Sequence, residues 1–124
     1  MQAQEAMLFE GRPEVLSIYL ALMAALRRAH PDISCKVGRT QISVRNRYVF
    51  MTASPPWRRL RGWPESYLLV TFGLGCRRES PRIAQAVEAY PGRWTHHVPV
   101  QRESELDAEL LGWLEEAYQF ALAK

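Results

Sequence analysis

The hydrophobic period of this chain changes twice, and that pattern restricts its fold more than any other feature. From Glu14 to about Ala29 the apolar residues recur at helical spacing. Val15, Ile18/Tyr19, Leu22, Leu26 and Ala29 make one stripe, which Leu16, Leu20 and Met23 widen. Between Ser34 and Val100 several short segments alternate instead. From about Glu105 to Ala123 helical spacing returns, with Leu106, Leu110, Trp113/Leu114, Ala117/Tyr118 and Ala121 on one face. Strands gathered between two helices predict an α+β fold. Its core is a twisted antiparallel sheet of four to five strands, with the N- and C-terminal helices packed on it.

Local signals set the expected boundaries. Residues 1–13 read as a lead-in with Leu8 and Phe9 tucked onto the core. Gly11-Arg12-Pro13 breaks the chain, Pro13 suits a first helical turn, and His30-Pro31-Asp32 ends the helix. Strands are expected at Ser34–Val37, Thr40–Arg45, Tyr48–Ala53, Tyr67–Leu74 and Trp94–Val100. Asn46-Arg47 reads as a two-residue hairpin turn, with Asn46 the residue that readily takes positive φ. Ser80-Pro81 reads as the cap and first residue of a short helix reaching about Ala89. Ser104 and Asp107 stand at capping-box spacing before the last helix. The predicted order is α-β-β-β-β-α-β-α. Nothing marks an internal linker, so one domain is expected over residues 1–124.

Composition excludes several classes. Apolar residues at 48% and charged residues at 23% suit a globular chain able to bury a core without disulfides. Cys35 and Cys76 match no metal-ligand spacing and read as reduced thiols of a cytoplasmic protein. The uncharged run Val15–Leu26 falls short of the about 20 residues that cross a bilayer. No membrane association is expected. Net charge is +3, but unevenly spread. Residues 27–102 hold fourteen Arg and Lys against Asp32, Glu65, Glu79 and Glu88, whereas residues 103–124 hold Lys124 against six acids. An anionic partner for the basic middle is expected, with acidic terminal helices opposing its field. Fourteen arginines against two lysines is the usage of a GC-rich genome.

Several stretches together carry a family resemblance: Leu8–Glu14, Lys36–Ser43, Ser54-Pro55-Pro56, Leu68–Leu74, Gly92–Val98, Leu110–Leu114 and the Ala117-Tyr118 pair. Through them the chain resembles the bacterial family catalogued as domain of unknown function 5655, over nearly its whole length. The resemblance implies a small α+β domain. It brings no established catalytic residue.

Tyr90–Val100 concentrates chemistry-bearing side chains. Alternation puts Trp94, His96, Val98 and Val100 on one side and Thr95, His97 and Pro99 on the other. His96 is then the core-side histidine and His97 the wetter one. Two ligands on opposite faces cannot share a metal, so no metal or cofactor is expected. Arg77, Arg78 and Arg82 flank Ser80-Pro81, where a helix start would favour an anion. The leading expectation is a non-enzymatic binding module for an anionic ligand or partner, using Arg77, Arg78, Arg82, Arg93, His96 and His97. The rival is a small enzyme with one of these histidines as general base beside Cys76, Cys35 or Thr40. Two further alternatives stand behind these. One is an oligomerisation domain, such as a homodimer built on the apolar first helix. The other is a nucleic-acid accessory that uses the loop residues Trp57, Arg58, Arg59, Arg61 and Trp63.

Overall fold

The computed structural model describes residues 3–56 and 61–124. A short helix α1 (Ala3–Leu8) precedes α2 (Pro13–Ala29). Six strands follow: β1 (Ser34–Val37), β2 (Ile42–Arg45), β3 (Val49–Ser54), β4 (Leu68–Leu74), β5 (Gln85–Tyr90) and β6 (Arg93–Val100). A 3-10 turn at Glu103–Glu105 leads into α3 (Ala108–Leu122). The strands form one sheet in the order β1-β2-β3-β4-β6-β5, and every neighbouring pair is antiparallel.

Alternation decides which side of the sheet the helices cover. Ile42 and Val44 on β2, Met51 and Ala53 on β3, Leu68, Val70, Phe72 and Leu74 on β4, and Val98 and Val100 on β6 are all buried. Against them lie Val15, Ile18, Tyr19, Leu22, Met23 and Leu26 of α2, and Leu110, Trp113, Leu114, Ala117, Tyr118 and Ala121 of α3. Burying one such aliphatic side chain stabilises the fold by about 1.5–3 kcal/mol. This single packed layer therefore holds the molecule together. Phe9 stacks on Tyr19 at 5.2 Å and closes the layer at the α1 end. At the other end the His30 ring lies 3.6 Å from that of Tyr118, whose hydroxyl donates to Asp32 at 2.7 Å.

The fold is the expected α+β, with an antiparallel sheet and helices on one face, but several local expectations need correction. The sheet has six strands, because residues 85–90 are strand β5 instead of a helix. Ser80 caps no helix; its Oγ accepts from the Arg82 N–H and its carbonyl from Ile83 N–H, which makes a turn. Asn46 does not take positive φ, and no described non-glycine residue does. Its side chain instead accepts from the Tyr48 N–H at 3.0 Å, closing a three-residue loop with a register shift at Val44/Arg45. Asp107, and not Ser104, is the N-cap of α3, accepting from Leu110 N–H at 3.1 Å. Leu20, read as part of the buried stripe of α2, is 41% exposed.

Candidate functional site

Among the described residues no helix packs on the second face of the sheet, and register brings a line of polar side chains together there. Lys36 faces Ser43, Ser43 faces Thr52, Thr52 faces Thr71, Thr71 faces His97, and His97 faces Gln85. One row thus crosses all six strands, spanning roughly 24 Å at the usual inter-strand spacing. Within it the Thr71 hydroxyl and His97 Nδ1 lie 2.9 Å apart. Burial pushes the His97 pKa below its usual range, so the ring is neutral near pH 7. When Thr71 O–H donates to Nδ1, the ring proton sits on Nε2 at the far edge of the imidazole.

Arg93 starts β6 on this same face. Its guanidinium occupies the place a side chain on Gly73 would fill; a Cβ there would lie 2.6 Å from Arg93 Cζ. Gly73 is therefore the residue that lets the arginine lie flat across β4, beside Thr95, its own register partner. Among the described residues no carboxylate pairs with Arg93, while Thr95 and His97 follow it along the strand at alternate positions. The result, among the described residues, is a cation without a carboxylate partner at one end of a floor of hydroxyl and imidazole groups.

The other predicted ligand residues are elsewhere. His96 is fully buried on the helix side, stacked on Phe72 at 5.1 Å, with Phe72 stacked on Trp113. Its Nε2 accepts from the Arg78 N–H at 3.0 Å, which leaves the proton on Nδ1. Nδ1 makes no well-formed hydrogen bond. Burial lowers the His96 pKa, and the nearby Phe72 and Trp94 carbonyls only partly offset it. Arg78 pairs with Glu116 at 2.5 Å and donates to Cys76 Sγ at 2.9 Å. Arg82 binds Asp107, Glu109 and the Glu105 carbonyl. Arg77 lies 5.9 Å from the Trp94 ring centroid. An open groove of about 470 Å3 borders Arg77, Arg78, Ser80 and the start of β5. The acids of the C-terminal segment thus hold two of the arginines expected to bind an anion, and the helix start expected at Ser80-Pro81 is a turn leading into β5.

The six expected residues therefore divide: Arg93 and His97 share the uncovered face, four residues apart on β6, and Arg77, Arg78, Arg82 and His96 lie elsewhere. No hydrogen bond joins either histidine to Cys76, Cys35 or Thr40 among the described residues; the hydroxyl partner is Thr71. Both cysteines are free thiols, Cys35 half-buried and Cys76 exposed. Among the described residues no group of three His, Cys, Asp or Glu side chains is placed to hold a metal ion. No described helix is long and apolar enough to cross a membrane. Trp57, Arg58 and Arg59 lie outside the described residues; Arg61 is exposed, and Trp63 meets Tyr67 edge to face at 5.8 Å. Thr71, Thr52, Ser43, Lys36 and Gly73 were not singled out from sequence. Thr71 does interrupt the apolar run of β4 on its outer face, yet only strand register sets it against His97.

The model of the family described as a domain of unknown function, DUF5655, matches residues 5–121 of the chain. No curated protein and no solved structure matches it.

Proposed function

We propose that this chain, which belongs to the DUF5655 family, is a non-enzymatic binding module that holds an anionic ligand on the uncovered face of its sheet. Arg93 supplies fixed charge, while Thr71, Thr95 and His97 supply hydrogen-bonding groups. The observation that carries this reading is the guanidinium laid across Gly73, which meets no carboxylate among the described residues. An arginine that is not neutralised at home, on a floor of hydroxyls, suits a carboxylate or phosphate, whose two oxygens match its fork of donors. Titration calorimetry with inorganic phosphate, nucleotides and phosphosugars tests it. Arg93→Ala is expected to weaken binding at least about tenfold, and Arg78→Ala to leave it unchanged. Affinity indifferent to salt or to Arg93→Ala would refute the reading.

The 2.9 Å contact between Thr71 and His97 supports a second reading. A hydroxyl beside an imidazole is the pair a general base needs to activate a nucleophile. Ester hydrolysis that disappears in Thr71→Val, with ligand binding retained, would favour an enzyme. The absence of any turnover on activated esters and phosphoesters favours the module.

A further inference from the structure

The two edges of the sheet are β1 and β5, and β1 stands out for its surroundings. The sequence from Ile33 to Pro64 contains no acid, so β1 and the segments that follow it carry Lys36, Arg39, Arg45 and Arg47 with no acid among them, and Glu5 of α1 is the acid whose charge reaches Cys35 of β1. Between α1 and β1 an open groove of about 420 Å3 is lined by Gln4, Met7, Leu8, Val37, Gly38 and Arg39. Met7 is 73% exposed beside it. A flexible thioether on an open apolar groove adapts readily to a partner's side chain.

The main chain of β1 is also available. Gly38 N–H donates to the Gln41 carbonyl at 2.8 Å, which fixes the phase of the β1–β2 ladder. By alternation Lys36 and Ser34 bond to β2, and the N–H and C=O of Cys35 and Val37 point off the free edge. The Val37 side chain lies on the groove side, and that of Lys36 on the uncovered face.

We propose that this edge docks an extended segment of a partner protein in which apolar and acidic residues alternate, added antiparallel as a seventh strand. Its apolar side chains enter the groove against Met7, Leu8 and Val37, and its carboxylates meet Lys36 on the opposite face and Arg39 at the groove's end. Main-chain bonds to Cys35 and Val37 supply affinity, and the alternation supplies specificity. The site reaches the uncovered face only through Lys36 at the β1 edge, four strands from Arg93 on β6, and does not depend on the ligand site there.

Antiparallel pairing makes a sharp demand. A partner residue opposite Val37 shares both its face and its hydrogen bonds, so the apolar residues must donate to β1 and the acidic ones must not. The experiment uses a fluorescent peptide of alternating Val and Glu, followed by anisotropy on the full chain. N-methylation of the Val amides is expected to weaken binding at least about tenfold, while N-methylation of the Glu amides leaves it unchanged. Lys36→Glu, at an exposed site that circular dichroism can show to be folded, is expected to do the same damage, and Glu88→Lys on β5 none. Several results overturn the proposal: no binding of the peptide, equal effects of the two methylations, or loss in Glu88→Lys. It is also overturned by a Lys36-dependent dimer on sizing chromatography, which would give the edge to a second copy. Lys36-dependent binding of a single-stranded oligonucleotide without peptide binding would likewise give it to nucleic acid.

Discussion

Gly73 and Arg93 are two residues whose meaning lies in each other. A glycine inside a strand ordinarily costs stability, because the backbone is less restrained and nothing packs. Here it makes room for a guanidinium at 2.6 Å from the missing Cβ. The end of an arginine side chain moves easily, so Gly73→Ala is expected to change stability by no more than about 0.5 kcal/mol while displacing Arg93. Ligand affinity should then fall by about tenfold at unchanged Tm, a separation that calorimetry and thermal melting read together. His96 carries the opposite kind of prediction. Burial holds its pKa down, so its stabilising contribution is complete above the ordinary histidine value near 6.5 and drains away as pH falls toward the lower folded value. Melts between pH 8 and pH 5 should show stability falling by up to about 1.4 kcal/mol per pH unit from this residue. His96→Leu should flatten that slope. It should also lower stability at pH 8 by about 1–3 kcal/mol, since Arg78 N–H loses its acceptor.

The elements show where local preference yields. Ala84 to Ala89 is rich in helix formers, and Ser80-Pro81 resembles a helix start, yet the segment pairs with β6 from Gln85 to Tyr90. A competing signal was present: Pro91-Gly92 is a two-residue connection, Gly92 has φ +84°, and Tyr90 faces Arg93 across it. Such a turn permits a hairpin without requiring one, and pairing with a core strand outweighs the small helix preference of a few alanines. The loop before β5 is held by Arg82, which bonds Asp107 while Asp107 caps α3. Those two bonds, first the Arg82 guanidinium and then the Leu110 N–H, keep the Asp107 pKa below the usual carboxylate range. A depressed carboxylate stabilises above its unfolded pKa near 3.9 and is lost as pH falls through the folded value. Asp107→Ala is expected to lower Tm by roughly 3–6 °C at pH 7, and Asp107→Asn, which still caps, by less. The gap between the wild type and Asp107→Asn should narrow in acid, as Asp107 takes up a proton and loses its charge-assisted bonds.

At the scale of the whole molecule, charge is sorted by the packing. The acidic C-terminal segment folds back onto the basic middle through Arg78–Glu116, Arg82–Asp107 and Arg82–Glu109, and His30 meets Glu115. Those pairs lie around α3, on the helix side. The uncovered face and the β1 edge keep Arg93 and Lys36 without acidic partners among the described residues. Surface cations of this kind act through a screened field. Raising salt from ~0.05 M to ~0.5 M should therefore weaken anion binding severalfold, with a much smaller effect on Tm, since surface pairs contribute about 0–1 kcal/mol each.

Periodicity by itself determined the α+β class, the extent of α2, the inward face of β4 and the division of His96 from His97. Each of these follows from spacing along the chain, and spacing maps directly onto which way a side chain points. Tertiary structure alone decided that residues 85–90 are a strand, that Arg78 and Arg82 are already neutralised, and that Thr71 stands against His97. These depend on which strand lies beside which and in what register, and on where an acidic helix folds back. Contacts between residues far apart in sequence leave no local period to read, and the site on the uncovered face is built almost wholly from such contacts.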